Sequence, residues 1–351
     1  MNESPSVRLG SRRIGAGRPV FVIAEAGVNH NGDFLKACRL VDVAAEAGAD
    51  AVKFQTFRAN RLVLPGAPKL GYQRDNTGPG TQWGMLKKLE LSESFQVDLA
   101  KRCHKKGILF LSSPFDEESA LFLFNLGVPA FKIPSGELTN HPLLQRIAGW
   151  GKPLLLSTGM ATLDEIRGAL KVIRRAGNPP LMLFHCVSVY PALPKETNLK
   201  AMATMARMFR VPVGFSDHSE GTAVALAAVA LGACVIEKHF TLDRSLSGPD
   251  HRASLNPREL KNLINDIRAV SQAQGDGVKR PVPRENETAL AVRKSLVILE
   301  NVPRGTLLHR SMIGTLRPGT GLAPEWISRV MGKRARRDIA AMTLLSEDML
   351  A

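Results

Sequence analysis

Residues 20–56 read VFVIAEAGVNHNGDFLKACRLVDVAAEAGADAVKFQT, and one complete structural repeat lies within them. An apolar run, Val20–Ala24, stops at a carboxylate, Glu25. Helical periodicity follows over Phe34–Ala47 and closes at Gly48, a residue suited to the left-handed position after a helix. A second apolar run, Ala51–Phe54, carries Lys53 and gives way to Gln55. The stretch predicts strand, helix and strand, with chemistry at the end of each strand.

The same alternation continues to about Ala273. Further apolar runs are Ile108–Leu111, Ala130–Ile133, Leu154–Leu156, Leu181–Phe184, Pro212–Phe215 and Val235–Ile236 extending to Phe240, making eight in all. Helical candidates lie near Glu93–Lys106, Glu117–Leu126, Pro142–Gly149, Leu163–Ala176, Leu199–Phe209, Gly221–Leu231 and Pro257–Gln274. Several end in glycine, at Gly107, Gly127, Gly177 and Gly232. Eight βα units in about 255 residues predict an α/β fold, a (β/α)8 TIM barrel, with a doubly wound open sheet as the rival. The strand ends favour the barrel. Glu25, Lys53, Gln55, Ser112, Ser113, Lys132, Ser135, Ser157, the segment His185–Tyr190, Asp217, His218, Glu237 and His239 would all meet at one C-terminal mouth, whereas an open sheet would spread them along an edge.

Near Gly275 the pattern gives way to Gly, Pro and charge. Residues 1–274 are therefore expected as the barrel, 275–292 as a linker and 293–351 as a small, turn-rich second domain. The 351-residue chain holds 47 Lys+Arg against 32 Asp+Glu, a formal charge of +15. With 44% hydrophobic and 23% charged residues it has the composition of a globular protein. No run approaches the ~20 apolar residues of a membrane span. Cys38, Cys103, Cys186 and Cys234 stand far apart without a C-x-x-C pair, so reduced thiols in a cytoplasm are expected. The basic surplus admits nucleic acid, an anionic membrane or small anionic substrates. Aromatics at 5% count against a base-stacking module. Solvated surface is the default reading for the arginines of the first 18 residues and for Arg329–Arg337.

His218 and His239 end successive predicted strands, where two imidazoles can hold a divalent ion while leaving positions open for water and substrate. Lys53 and Lys132 sit late in apolar strands and need an anion or a lowered pKa. With Ser113, Ser135 and Ser157 on other strand ends, they suggest a cradle for carboxylate and phosphate; Ser157-Thr158-Gly159 adds a hydroxyl and backbone N–H donors. Glu25 is either a proton carrier or sugar contact, or the partner of a mouth lysine. Asp250, in a loop after the eighth strand, is either a sugar contact or a turn residue.

Taken in order, Ile23-Ala-Glu-Ala-Gly-Val-Asn-His-Asn-Gly32, Val52-Lys-Phe-Gln-Thr56, Phe131-Lys-Ile-Pro-Ser-Gly-Glu137, Leu156-Ser-Thr-Gly-Met160, His185-Cys-Val-Ser-Val-Tyr-Pro191, Gly214-Phe-Ser-Asp-His218, Glu237-Lys-His-Phe-Thr241 and Gly248-Pro-Asp250 resemble the motifs of the sialic-acid (N-acetylneuraminate) synthase family. Arg293-Lys-Ser-Leu296 and Leu316-Arg-Pro-Gly-Thr-Gly321 resemble its small C-terminal antifreeze-like domain. The resemblance implies a cytoplasmic enzyme that condenses phosphoenolpyruvate with an N-acylated amino sugar. Lys53, Ser113, Lys132, Ser135, Ser157 and Gly159 would bind phosphoenolpyruvate. His218 and His239 would ligate Mn²⁺, with Mg²⁺ or Co²⁺ as alternatives. Glu25, Gln55, Tyr190 and Asp250 would address the sugar, and Arg317 would reach the partner's sugar across a domain-swapped homodimer.

Ser188, also expected among the substrate-binding residues, stands where the sialic-acid prototype has the Asn that contacts the sugar's acyl amide. N-acetylmannosamine, giving N-acetylneuraminate, is the first expectation for the sugar. The alternative is 2,4-diacetamido-2,4,6-trideoxymannose, giving legionaminic acid. A synthase acting on a phosphorylated aldose and a non-catalytic carbohydrate-binding protein stand as rivals. No membrane or nucleic-acid partner is expected.

Overall fold

A computed structural model describes residues 5–351. It divides into two compact units, one ending at Gly275 and the other running from Asp276 to Ala351. The first opens with a hairpin, β1 (Ser6–Leu9) antiparallel to β2 (Arg12–Gly15). Eight strands follow: β3 (Phe21–Gly27), β4 (Ala51–Thr56), β5 (Leu109–Pro114), β6 (Phe131–Ile133), β7 (Leu154–Ser157), β8 (Leu181–Cys186), β9 (Val213–Asp217) and β10 (Val235–His239). They form one sheet in the order β5-β4-β3-β10-β9-β8-β7-β6. Every ladder in it is parallel, and the last strand pairs with the first, His239 opposite Glu25. Only β5 and β6 meet without a ladder, so the barrel is nearly closed.

Each predicted run became one of these strands. The helices Phe34–Ala47, Glu93–Lys106, Glu117–Leu126 and Leu163–Ala176 have the expected bounds. Gly48, Gly107 and Gly127 take the left-handed conformation after their helices. Gly177 does not: its φ is 166°, and a Cβ there would lie 2.6 Å from Ala148 O, so close packing selects glycine at that point.

Side-chain alternation with a period of two divides each barrel strand between two environments. Val22, Val52, Phe110, Ile133, Leu156, Leu183, Phe215 and Ile236 point outward into the layer shared with the helices. Phe21, Ile23, Ala51, Leu111, Leu155, Met182 and Val235 point inward and fill the N-terminal half of the barrel, where Val7, Leu9 and Ile14 of the hairpin join them. The hairpin is thus a plug. Arg8 and Arg13 are exposed as expected, but Arg12 is not simply solvated surface: it pairs with Asp50 at 2.7 Å, and Arg268 pairs with the other oxygen of that carboxylate. Between β4 and Glu93, residues 57–92 form an insertion with short helices at Ala59–Leu62, Gly71–Thr77 and Gln82–Lys87, none anticipated from sequence.

In the second unit β11 (Ser295–Ile298) pairs antiparallel with β12 (Ile313–Leu316) over a core that includes Leu296, Ile298, Val302, Ile313 and Leu345. The stretch expected as a linker contains a helix, Glu285–Val292, and belongs to this unit. Among the described residues no helix is long and apolar enough to cross a membrane. All four cysteines are free thiols.

Candidate active site

The inward register that buries Ile23, Ala51, Leu111, Leu155 and Val235 continues, two residues at a time, to Glu25, Lys53, Ser113, Ser157 and Glu237. A cavity of about 200 Å³ opens among these ends. Gln55, Lys132, Ser135 and Ser188 line it, as do Tyr190, His218 and His239. Three predicted residues do not line it. Gly159 stands behind the wall, its N–H donating to Ser135 Oγ at 3.0 Å. A Cβ on Gly159 would collide with Ser188 Oγ and Ser135 Oγ, so glycine is what lets these hydroxyls converge. Asp250 lies beside the cavity, its Oδ2 3.9 Å from His239 Nδ1. Arg317 is an exposed residue of the second unit.

Both lysines are buried and each meets a carboxylate. Lys53 Nζ is 2.8 Å from Glu25 Oε2 and 3.1 Å from Ser113 Oγ. Lys132 Nζ is 3.0 Å from Glu237 Oε1 and lies over the Phe184 ring at 5.0 Å. Glu237 also takes a hydrogen bond from Ser216 Oγ at 2.9 Å, and its second oxygen is 3.9 Å from Lys53. Glu237 therefore stands between the two cations.

Burial disfavours every one of these charges, and the pairings decide the outcome. At Glu237 burial is overcome by Lys132 and Lys53, which hold the carboxyl below its ordinary range. Burial wins at Glu25 and pushes it up against the pull of Lys53. Lys53 is raised because Glu237 and Glu25 outweigh its desolvation, whereas desolvation prevails at Lys132 and lowers it.

The histidine pair is held neutral. Burial lowers His218 to about 4, and burial with the neighbouring His218 pushes His239 well below its ordinary value. His218 Nδ1 donates to Val187 O at 2.7 Å, which leaves the Nε2 lone pair facing the cavity. That lone pair accepts from Tyr190 OH at 3.2 Å, a phenol kept protonated by its own burial. His239 Nδ1 is buried without a hydrogen-bond partner, and the two imidazole centroids are 5.6 Å apart. Neutral imidazoles suit a divalent ion, which His218 would bind in exchange for its phenol hydrogen bond. No group of three or more His, Cys, Asp or Glu stands ready to hold a metal among the described residues, so this pair would leave the remaining positions to water and substrate.

Of the other lining residues, Glu237 was expected at the mouth without a role of its own, and Ser216 was not anticipated. Each sits two residues before a candidate metal ligand, and the two-residue period alone puts them on the same inward face. Asp217 and Lys238, one residue out of register, face away from the cavity and pair with each other at 2.8 Å.

The profile of the NeuB family matches residues 40–279, and that of the SAF domain matches residues 293–351. An N,N'-diacetyllegionaminic acid synthase of Legionella pneumophila is 47% identical over 94% of this chain and 94% of its own. The N,N'-diacetyllegionaminic acid synthase of Campylobacter jejuni is 45% identical over 94% of this chain and 100% of its own. The crystal structure of an N-acetylneuraminic acid (sialic acid) synthetase from Leptospira borgpetersenii, in complex with citrate, superposes with a TM-score of 0.73 at 36% identity; the match covers 81% of this chain and 95% of that one. On the family match across more than half its length and on these whole-length relatives, the chain belongs to the NeuB family of sialic-acid-type synthases and carries a C-terminal SAF domain.

Proposed function

We propose that the protein condenses phosphoenolpyruvate with 2,4-diacetamido-2,4,6-trideoxymannose, giving N,N'-diacetyllegionaminate and phosphate. The observation that carries the reaction class is the gathering of two buried lysines, converging serine hydroxyls and a neutral histidine pair around one small cavity. For the sugar, support comes from the relatives: two legionaminic acid synthases at 47% and 45% identity stand above an N-acetylneuraminic acid synthetase at 36%. That order reverses the first expectation of N-acetylmannosamine. Ser188, in place of the prototype's Asn, agrees with the reversal.

In this reading Lys53 and Lys132 exchange part of their carboxylate pairing for the anionic groups of phosphoenolpyruvate, and Ser113, Ser135 and Ser157 fix its orientation, with the Gly159 N–H holding Ser135 in place from behind. His218 and His239 would hold a divalent ion, Mn²⁺ first, with Mg²⁺ or Co²⁺ as alternatives; when bound it supplies Lewis acidity toward the aldehyde oxygen of the open-chain sugar. C3 of the enol attacks C1 of the aldehyde, water adds at C2, and C–O cleavage releases phosphate. Glu25, whose burial favours the protonated acid, delivers or holds the proton at the sugar oxygen. Gln55, Tyr190 and Asp250 contact the sugar. An adjoining hollow of about 290 Å³, lined by Tyr72, Asn76 and Arg252, shares Tyr190 with the cavity and accommodates the sugar's far end. Arg317 reaches the sugar of a partner subunit in a domain-swapped homodimer, and the use of phosphoenolpyruvate puts the enzyme in the cytoplasm.

The test is incubation with phosphoenolpyruvate, Mn²⁺ and either sugar, with the keto acid identified by mass. Faster turnover of the diacetamido sugar supports the reading. A preference for N-acetylmannosamine restores the first expectation, and phosphate release with neither sugar removes both.

A further inference from the structure

Asn29 and Asn31 follow directly on the strand that carries Glu25, yet neither lines the cavity. Their amides are spent on another segment. Asn29 is buried, and its Nδ2 donates to Phe240 O at 2.8 Å and to Ser254 Oγ at 2.9 Å. Ser254 Oγ in turn donates to Asp250 O at 2.7 Å. Asn31 Nδ2 donates to Ser247 O at 2.8 Å, which turns its Oδ1 toward His251 Nε2 at 3.2 Å. His251, buried and kept neutral, therefore carries its proton on Nε2 and accepts at Nδ1 from Thr241 Oγ1 at 2.7 Å. Phe240, Thr241, Ser247, Asp250, His251 and Ser254 all belong to the segment that leaves β10 after His239. Gly248 lies against the same side chains: a Cβ there would be 2.6 Å from His251 Cδ2 and 2.7 Å from Asn31 Oδ1.

We propose that Asn29, Asn31 and His251 are positioning residues that clamp segment 240–254 and so hold Asp250 beside His239, where it meets the sugar. The proposal rests on the reading of Asp250 as a sugar contact. Its physical basis is that loop carbonyls out of reach of water need donors, as at Phe240 O. Here two asparagines past the end of β3 donate to the segment that leaves β10, the strand β3 is laddered to, and His251 within that segment ties Asn31 to Thr241. Each asparagine bonds the loop through defined atoms, so the loop is set in one arrangement and the Asp250 carboxylate is presented without a search at binding. The clamp touches none of the groups assigned to phosphoenolpyruvate, so its effect belongs to the sugar alone.

The deciding variant is Asn31→Gly, because Asn31 is only partly buried and its left-handed φ of 54° is one that glycine keeps when the amide is removed. In the full-length enzyme the KM for the sugar should rise about tenfold while that for phosphoenolpyruvate stays within about twofold. Amide exchange over 240–254 should quicken. In an Asp250→Asn background the same substitution should change the sugar KM by less than about twofold, because the clamp acts through that carboxylate. Equal shifts for both substrates, full additivity with Asp250→Asn, or unchanged exchange over the segment would each overturn the proposal. An unmodified enzyme that condenses no sugar would defeat the proposed function instead, and the exchange measurement would then decide the clamp by itself.

Discussion

The two ends of the barrel are made by the same strands in the same inward register, and they differ in almost everything else. At the N-terminal end the inward positions are Phe21, Ala51, Met182 and Val235, sealed by Val7, Leu9 and Ile14 of the hairpin. At the other end they are Glu25, Lys53, Cys186, Glu237 and His239, around an open cavity. One end is an apolar core and the other a set of buried polar groups, in which the lysines are held by carboxylates and the histidines stay neutral. A single fold can be stabilised at one end and spend burial on chemistry at the other, since a step of two residues along a strand moves from one environment to the next.

Experiments that separate the ends test this division, beginning with the largest effect. Dialysis against a chelator is expected to abolish turnover, and Mn²⁺ to restore it, with little change in the thermal midpoint; activity that survives chelation would remove the metal from the mouth. Lys132→Met is expected to lower kcat/KM for phosphoenolpyruvate by about 10²–10³, as measured by phosphate release, because a preorganised cation is lost from a buried anion site. Normal affinity in that variant would mean that Lys132 serves only Glu237. At the opposite end Leu9→Ala should cost about 2–5 kcal/mol of stability in denaturant titration while leaving kcat within about twofold. A comparable loss of turnover would show that the plug and the mouth are coupled.

The smallest effect concerns pH. Burial lowers His30 and His251 to about 4, below the ordinary value near 6.5. Between those values the unfolded chain takes up protons that the folded one refuses, so stability is full above pH 6.5 and falls as the pH drops toward 4. Thermal midpoints across that range should decline, and His30→Gln should flatten the slope. A midpoint independent of pH would show that these rings are more accessible than their burial indicates.

Much of the fold was legible in the sequence because its signals are local. Ala47-Gly48, Lys106-Gly107 and Leu126-Gly127 mark helix ends through backbone conformation alone, and runs such as Leu154–Leu156 announce strands without reference to neighbours. The hairpin was hidden because Arg8, Arg12 and Arg13 dominate its composition, although Val7 and Leu9 alternate with exposed residues as a half-buried strand should. The insertion at residues 57–92 escaped notice because its helices are too short to show a period. In the site, Lys53, Lys132 and both histidines could be found as polar ends of apolar strands. Glu237 was placed at the mouth but given no role, and Ser216 was passed over, because each is followed by a more conspicuous histidine.

By itself the sequence determined that eight βα units exist, that a small turn-rich domain follows, and which side chains stand at the strand ends, since periodicity and capping act over a few residues. Only the tertiary structure decided which carboxylate answers which lysine. Lys53 takes Glu25, its register partner on the adjacent strand, and Lys132 takes Glu237, 105 positions away in the chain, because the rolled sheet turns the ends of β6 and β10 into one mouth where water cannot separate them.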